Sequence, residues 1–124
     1  MAHVLIVEDS DTVTPLEIAL GSLNNLGILV AVNGRDALKL LAASYVDLAA
    51  VVTDLHLPFV DGFELIAAIR ANDRYSHLPV VVVSGDDCPE NRRRVRELGA
   101  DAFFPKPYSP TEVRQTLEVL LHAP

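Results

Sequence analysis

Five short apolar runs punctuate the chain: Val4–Val7, Ile28–Val32, Leu48–Thr53, Val80–Val83 and Ala102–Phe104. Each is nearly continuous rather than alternating, the pattern of a strand covered on both faces. The segments between them repeat apolar residues at helical spacing. Leu16, Leu20 and Leu23 share a face in the first, Ala37, Leu38 and Leu41 in the second, and Phe63, Ile66 and Ile69 in the third. The fourth is weaker, with Val95 and Leu98, and the fifth carries Val113, Leu117 and Leu120.

Boundary residues divide the chain at the same places. Thr14-Pro15-Leu16-Glu17 and Ser109-Pro110-Thr111-Glu112 each supply a capping hydroxyl, a proline at the first helical position and a glutamate three residues on. Asp61 with Glu64 offers a similar cap to the third helix, and Pro89 suits the start of the fourth. Gly27 and Gly99 follow Leu26 and Leu98, where a left-handed helix terminus favours glycine. Strand and helix thus alternate five times without repeat or linker, and the 124 residues are expected to form one domain.

Alternation of this kind implies an α/β fold, a parallel sheet with helices on both faces, because crossovers are right-handed. Such sheets bind ligands beyond the carboxyl ends of their strands, near the point where strand order reverses. Residues of chemical interest follow the first, third, fourth and fifth runs: Glu8 and Asp9, Asp54, Ser84, and Lys106. The second run ends in Asn33-Gly34, a turn signal without evident chemistry. A five-stranded order 2-1-3-4-5 accounts for the asymmetry, since it leaves strand two at an edge.

Composition changes this picture only by exclusion. A net charge of -7 argues against non-specific nucleic-acid or anionic-membrane binding, both of which need basic surface. The one cysteine, Cys88, has no internal disulfide partner, which suits a reducing compartment. No basic amino-terminal stretch leads into a long apolar run, and nothing approaches a membrane span of about 20 residues. A soluble cytoplasmic domain is expected.

The chemistry lies in what the strand ends could assemble. Glu8, Asp9 and Asp54 in one pocket would disfavour one another's ionisation unless a cation intervened. Oxygen ligands without a cysteine or histidine cluster favour a hard ion, and Mg²⁺ suits a few carboxylates with retained waters. One carboxylate could then attack an incoming phosphoryl group as nucleophile. Phosphoryl transfer asks mainly for positioning and charge neutralisation; Lys106 offers a point charge and Ser84 a hydroxyl donor. Singly, each residue has an ordinary reading, as helix cap, turn or surface lysine. Their joint occurrence at the same end of four strands does not.

With those residues in view, the chain resembles the receiver domain of two-component response regulators over nearly its full length. The resemblance rests on VEDS at Val7–Ser10, TDLHLPFVDG at Thr53–Gly62, VVVSG at Val81–Gly85 and FFPKP at Phe103–Pro107. It implies a flavodoxin-like (βα)5 fold and phosphoryl transfer to Asp54 from the phosphohistidine of a histidine kinase or histidine phosphotransfer protein. It implies Mg²⁺ bound by Asp9, Asp54 and the backbone carbonyl of His56, with Glu8 acting through water. Ser84 becomes the switch hydroxyl, Lys106 the phosphate-binding lysine and Phe103 the aromatic switch residue. Lys106-Pro107 matches a peptide bond usually cis in the family. His56 and Asp86 stand where side chains at the pocket mouth tune acyl-phosphate hydrolysis. A downstream protein effector is expected on the surface of the fourth and fifth helices and fifth strand, and dimerisation on phosphorylation is left open.

The chain departs from the common pattern in places. The stretch from Asp9 to Leu26-Gly27 is longer than usual, in keeping with a first helix that waits until Pro15. The step from Asp47 to Asp54 is longer too, through Ala49-Ala50. Leu57 stands where methionine is frequent, and Phe103 lacks the hydroxyl of tyrosine. His3, His77 and His122 read as surface or loop residues. Arg92, Arg93, Arg94 and Arg96 read as a solvated basic helix face that favours the helix carboxyl end, or else as a docking face.

The reading is thus a Mg²⁺-dependent switch with no external turnover rather than an enzyme. Two rivals differ in class. A haloacid-dehalogenase-like phosphatase also uses a strand-end aspartate, but it wants a carboxylate where this chain has His56. A non-phosphorylated interaction module on the same fold has no need of Glu8, Asp9, Asp54, Ser84 and Lys106 together.

Overall fold

A computed structural model describes residues 2–8, 13–23 and 25–122, except for the side chains of residues 13 and 14. Strands and helices alternate as β1 (Ala2–Val7), α1 (Val13–Leu20), β2 (Leu26–Ala31), α2 (Gly34–Ala42), β3 (Leu48–Thr53), α3 (Gly62–Ala71), β4 (Val80–Ser84), α4 (Pro89–Glu97), β5 (Ala102–Pro105) and α5 (Pro110–His122). All four strand pairings are parallel, and the order is β2-β1-β3-β4-β5.

The sheet is covered on both faces because successive strand residues point in opposite directions. Leu5, Val7, Val51, Val80 and Val82 pack against Ala37 and Leu41 of α2, Phe63, Leu65, Ile66 and Ile69 of α3, and Val95 of α4. Their neighbours Val4, Ile6, Val52, Val81 and Val83 pack against Leu16 and Leu20 of α1 and Val113 and Leu117 of α5. The helical periodicities name these faces correctly; Leu38, Leu98 and Leu120 are their part-buried fringe.

Capping residues set the helix starts. Asp61 accepts the Glu64 N–H at 2.9 Å, Ser109 Oγ accepts the Glu112 N–H at 3.3 Å, and Pro89 opens α4. Asn33 does more than turn the chain: its side chain accepts the Asp36 N–H at 2.7 Å as the cap of α2. Helix α1 begins at Val13, not at Pro15, which the first turn tolerates because its N–H groups have no intrahelical partner.

Two further expectations change. Gly99 has φ 102 and ends α4 as anticipated, whereas Gly27 lies inside β2 opposite His3, and the left-handed residue before β2 is Asn25 with φ 63. The strand therefore starts at Leu26 and stops at Ala31, leaving Val32 outside. His3 is a β1 residue, part-buried, with a buried Nδ1 that has no hydrogen-bond partner, rather than a surface group. The extra length before Asp54 is a bulge. Pairing steps from His3↔Leu48 to Val4↔Ala50, so Ala49 is unopposed. That one residue sends Leu48 to the α2–α3 side and Ala50 to the α1–α5 side, although two positions separate them.

Candidate functional site

The carboxyl ends of β1, β3, β4 and β5 deliver four groups to one rim. Asp54 follows β3, with its N–H donated to the Val7 carbonyl at 3.0 Å, so its backbone extends the sheet ladder by one residue. Thr53 donates its hydroxyl to the Asp54 carbonyl at 2.8 Å. The loop beyond then returns tightly: Gly62 N–H meets the Leu55 carbonyl at 2.8 Å. A Cβ at Gly62 would lie 2.3 Å from the Asp54 carbonyl oxygen, so only glycine lets α3 start against the acid.

The Asp54 side chain is buried, and its two oxygens have different partners. Oδ1 accepts the Leu55 N–H at 2.6 Å and a longer contact from the His56 N–H at 3.4 Å. Oδ2 accepts from Lys106 Nζ at 2.7 Å. The same amine donates to Glu8 Oε1, joining acids that follow β1 and β3. Glu8 is placed by its N–H on the Ala31 carbonyl at 3.0 Å, and Lys106 by its N–H on the Ser84 carbonyl at 2.9 Å. Burial of the Lys106 amine works against its charge, but hydrogen bonds and attraction from Asp54 and Glu8 outweigh it, and its pKa rises above the usual lysine value. Tyr108, at the start of the connection to α5, is pushed up to about 12 by burial and then by the Glu8 charge.

Fitness for a cation can be judged from Glu8. Its side chain has no exposure, yet Oε2 has no hydrogen-bond partner. An unpartnered carboxylate oxygen at that depth is costly. An oxygen-coordinated ion, or a water held by one, would satisfy it, so the donor set fits Mg²⁺. Asp9, expected beside it, lies outside the described residues. Among the described residues no group of three or more acids, histidines or cysteines stands together.

Ser84 is fully buried at the end of β4, and its Oγ accepts the Asp86 N–H at 3.2 Å. Asp86 reaches over to His56, Nε2 to Oδ2 at 2.9 Å, and this hydrogen bond lowers the Asp86 pKa. The pair links the loops after β3 and β4 across the pocket mouth. Phe103 lies in β5 opposite Val82, part-buried, with the Arg92 guanidinium 4.8 Å above its ring. The Lys106-Pro107 bond is cis.

The arginines of α4 do not form one solvated face. Arg92 covers Phe103, Arg94 covers Phe63 at 3.9 Å, and Arg93 sits 3.9 Å from Glu97. Two features escaped sequence reasoning. One is Tyr108, whose position two beyond Lys106 was the available signal. The other is Phe59, a large residue with φ 71 in the loop after Asp54. Left-handed backbone costs a residue with a Cβ about 1–2 kcal/mol. The Arg35 guanidinium lies 4.0 Å over the Phe59 ring, but such an exposed cation–π contact returns only about 0.5–1 kcal/mol. A bulky aromatic between Pro58 and Val60, where the turn would favour glycine, was the signal.

Comparisons with known proteins agree with this geometry. The response regulator receiver domain family matches residues 4–118. Two-component response regulator ORR11 of Oryza sativa is 28% identical over 119 residues, covering 96% of this chain and 80% of that protein. Chemotaxis protein CheY1 of Helicobacter pylori is 27% identical, covering 95% of each. Chemotaxis response regulator CheY4 of Vibrio cholerae superposes with a TM-score of 0.83 at 26% identity, covering 97% of this chain and 98% of that one. The fold recurs, at 22% identity and a TM-score of 0.84, in the receiver domain of a Pseudomonas aeruginosa sensor histidine kinase, solved with a magnesium ion coordinated in the active site cleft. The chain belongs to the response regulator receiver domain family, with the five-stranded flavodoxin-like fold of the CheY-like proteins.

Proposed function

We propose that residues 1–124 act as a phosphoacceptor unit in which Asp54 takes the phosphoryl group from a phosphohistidine donor, a histidine kinase or a histidine phosphotransfer protein. The observation that carries this is one amine, Lys106 Nζ, bonded to both Glu8 and Asp54 at a strand-end rim. In the transfer an Asp54 oxygen forms the new O–P bond as the donor's N–P bond breaks, and the electron pair leaves with the imidazole. Lys106 can turn from the carboxylate towards a phosphoryl oxygen without leaving the pocket. Ser84 can give its hydroxyl hydrogen to another oxygen once the loop carrying Asp86 adjusts.

Asp54, Asp9, the His56 carbonyl and, through water, Glu8 are the groups that would hold Mg²⁺. Bound there, it neutralises charge on the phosphoryl oxygens. The His56–Asp86 bridge governs how readily water reaches the acyl phosphate, so the hydrolysis expected is that of the phosphoryl group on Asp54 itself. Movement of Ser84 and Phe103 would alter the α4–β5–α5 surface read by a downstream protein. No helix among the described residues is long and apolar enough to cross a membrane.

Mass spectrometry after incubation with phosphoramidate tests this reading. The parent gains a single phosphoryl adduct with Mg²⁺ and little without it, and Asp54→Asn gains none. An adduct that persists in Asp54→Asn sinks the proposal. Steady-state hydrolysis of a phosphomonoester such as p-nitrophenyl phosphate would favour the phosphatase rival instead.

A further inference from the structure

Phe59 is 70% exposed, and its backbone sits in the left-handed region, where a phenylalanine is strained. The loop does not need the ring to hold its shape. Val60 packs on Gly34, where a Cβ would meet the Val60 carbonyl oxygen at 2.0 Å. Asp61 caps α3, and the Gly62 N–H closes the loop on Leu55. Glycine at position 59 would relieve the strain and leave each of these contacts in place. Resting on the phosphoacceptor reading, we propose that Phe59 is the apolar anchor, and Arg35 beneath it the charged one, for the protein that donates the phosphoryl group.

The occupant follows from distance. Phe59 lies five positions beyond Asp54, and even a fully extended chain spans no more than about 18 Å over that distance. A standard interface covers about 800 Å² per partner, a disc of about 16 Å radius. The loop is folded back rather than extended, so a donor protein centred on the Asp54 carboxylate must cover Phe59. A partner that distinguishes the two states of the switch would need an element that moves, and this loop is fastened at Val60, Asp61 and Gly62. The surface complementary to an exposed aromatic ring above a guanidinium is an apolar pocket with a carboxylate at its edge.

Transfer separates the anchor from the chemistry. Two donors are compared on the parent, Phe59→Gly and Phe59→Tyr: phosphoramidate with Mg²⁺, and a purified autophosphorylated histidine-kinase core or phosphotransfer domain that phosphorylates the parent. For Phe59→Gly the protein-donor kcat/KM, divided by the phosphoramidate rate, falls about tenfold or more, carried by KM. Phe59→Tyr keeps most of it. Phe59→Gly melts within a few degrees of the parent, because the relieved strain offsets the lost Arg35 contact and glycine's greater unfolded-chain entropy. An unchanged ratio overturns the inference, and so does a melting temperature lowered by more than about 5 °C in Phe59→Gly, which would make the ring a packing element of the loop. A parent that phosphoramidate leaves unmodified sinks the phosphoacceptor reading, and this inference with it.

Discussion

Lys106 shows how much one side chain is asked to do at this rim. Its amine stands between two buried carboxylates, and the hydrogen bonds to Asp54 and Glu8 hold its pKa up against the burial that would lower it. Tyr108 is shifted in the same sense, from 10.0 to about 12, by burial and the Glu8 charge. Both groups bind a proton more tightly folded than unfolded. The contribution of Tyr108 to stability is therefore complete below pH 10, the unfolded tyrosine value, and is lost as pH rises through about 12, while that of Lys106 is lost in the same alkaline direction. Ultraviolet titration should show a tyrosine ionising late, near pH 12, and Tyr108→Phe should abolish that step and flatten the alkaline loss of stability. A late step that survives in Tyr108→Phe would assign it to another tyrosine. These roles were half legible beforehand. Residue type and strand-end position marked Lys106, Ser84, Glu8 and Asp54, but which oxygen meets which donor depends on segments far apart in the chain.

Helices and strands were the most readable level, because periodicity and caps are local. They were misread where a local signal had a competitor. Gly27 follows a leucine as a helix-ending glycine would, yet it pairs within β2, since the edge ladder with β1 takes it up. Arg70, near the end of α3, is a tie that no periodicity announces. It donates to the carbonyls of Gly99, Ser76 and Leu78 and meets Asp101 at 3.2 Å, while Asp101 accepts the Val80 N–H at 2.8 Å. One helix end thereby fixes the starts of β4 and β5, the strands that carry Ser84 and Lys106. Charge-assisted bonds of this kind contribute about 1.5–3 kcal/mol each and are not additive. Arg70→Met should cost about 2–4 kcal/mol in urea denaturation, with phosphoramidate labelling of Asp54 retained in the folded fraction. A cost under about 0.5 kcal/mol, the range of ordinary surface substitutions, would show that water replaces the guanidinium without loss.

On the scale of the whole molecule, stability and function meet in the acidic rim. Glu8 is buried with one oxygen unpartnered, so a cation that binds the folded state and not the unfolded one stabilises by mass action. At tenfold above its dissociation constant, Mg²⁺ adds about 1.4 kcal/mol, which moves the melting temperature of a domain this size by a few degrees. The shift should be reduced in Asp54→Asn. An equal shift in that variant would place the ion elsewhere.

Taken by itself, the sequence determined the alternation of strand and helix, the parallel sheet, the edge position of the second strand and the set of polar residues at the strand ends. These follow from short-range rules of pattern, capping and chain connection. Tertiary structure alone decided the rest. Ala49 became a bulge because β3 must satisfy β1 and both layers of helices at once. Lys106 bridges Glu8 and Asp54 because β1, β3 and β5 end together, and Phe59 is held strained because its loop is fastened on either side. Each depends on contacts between residues distant in the chain, whose geometry exists only once the sheet has formed.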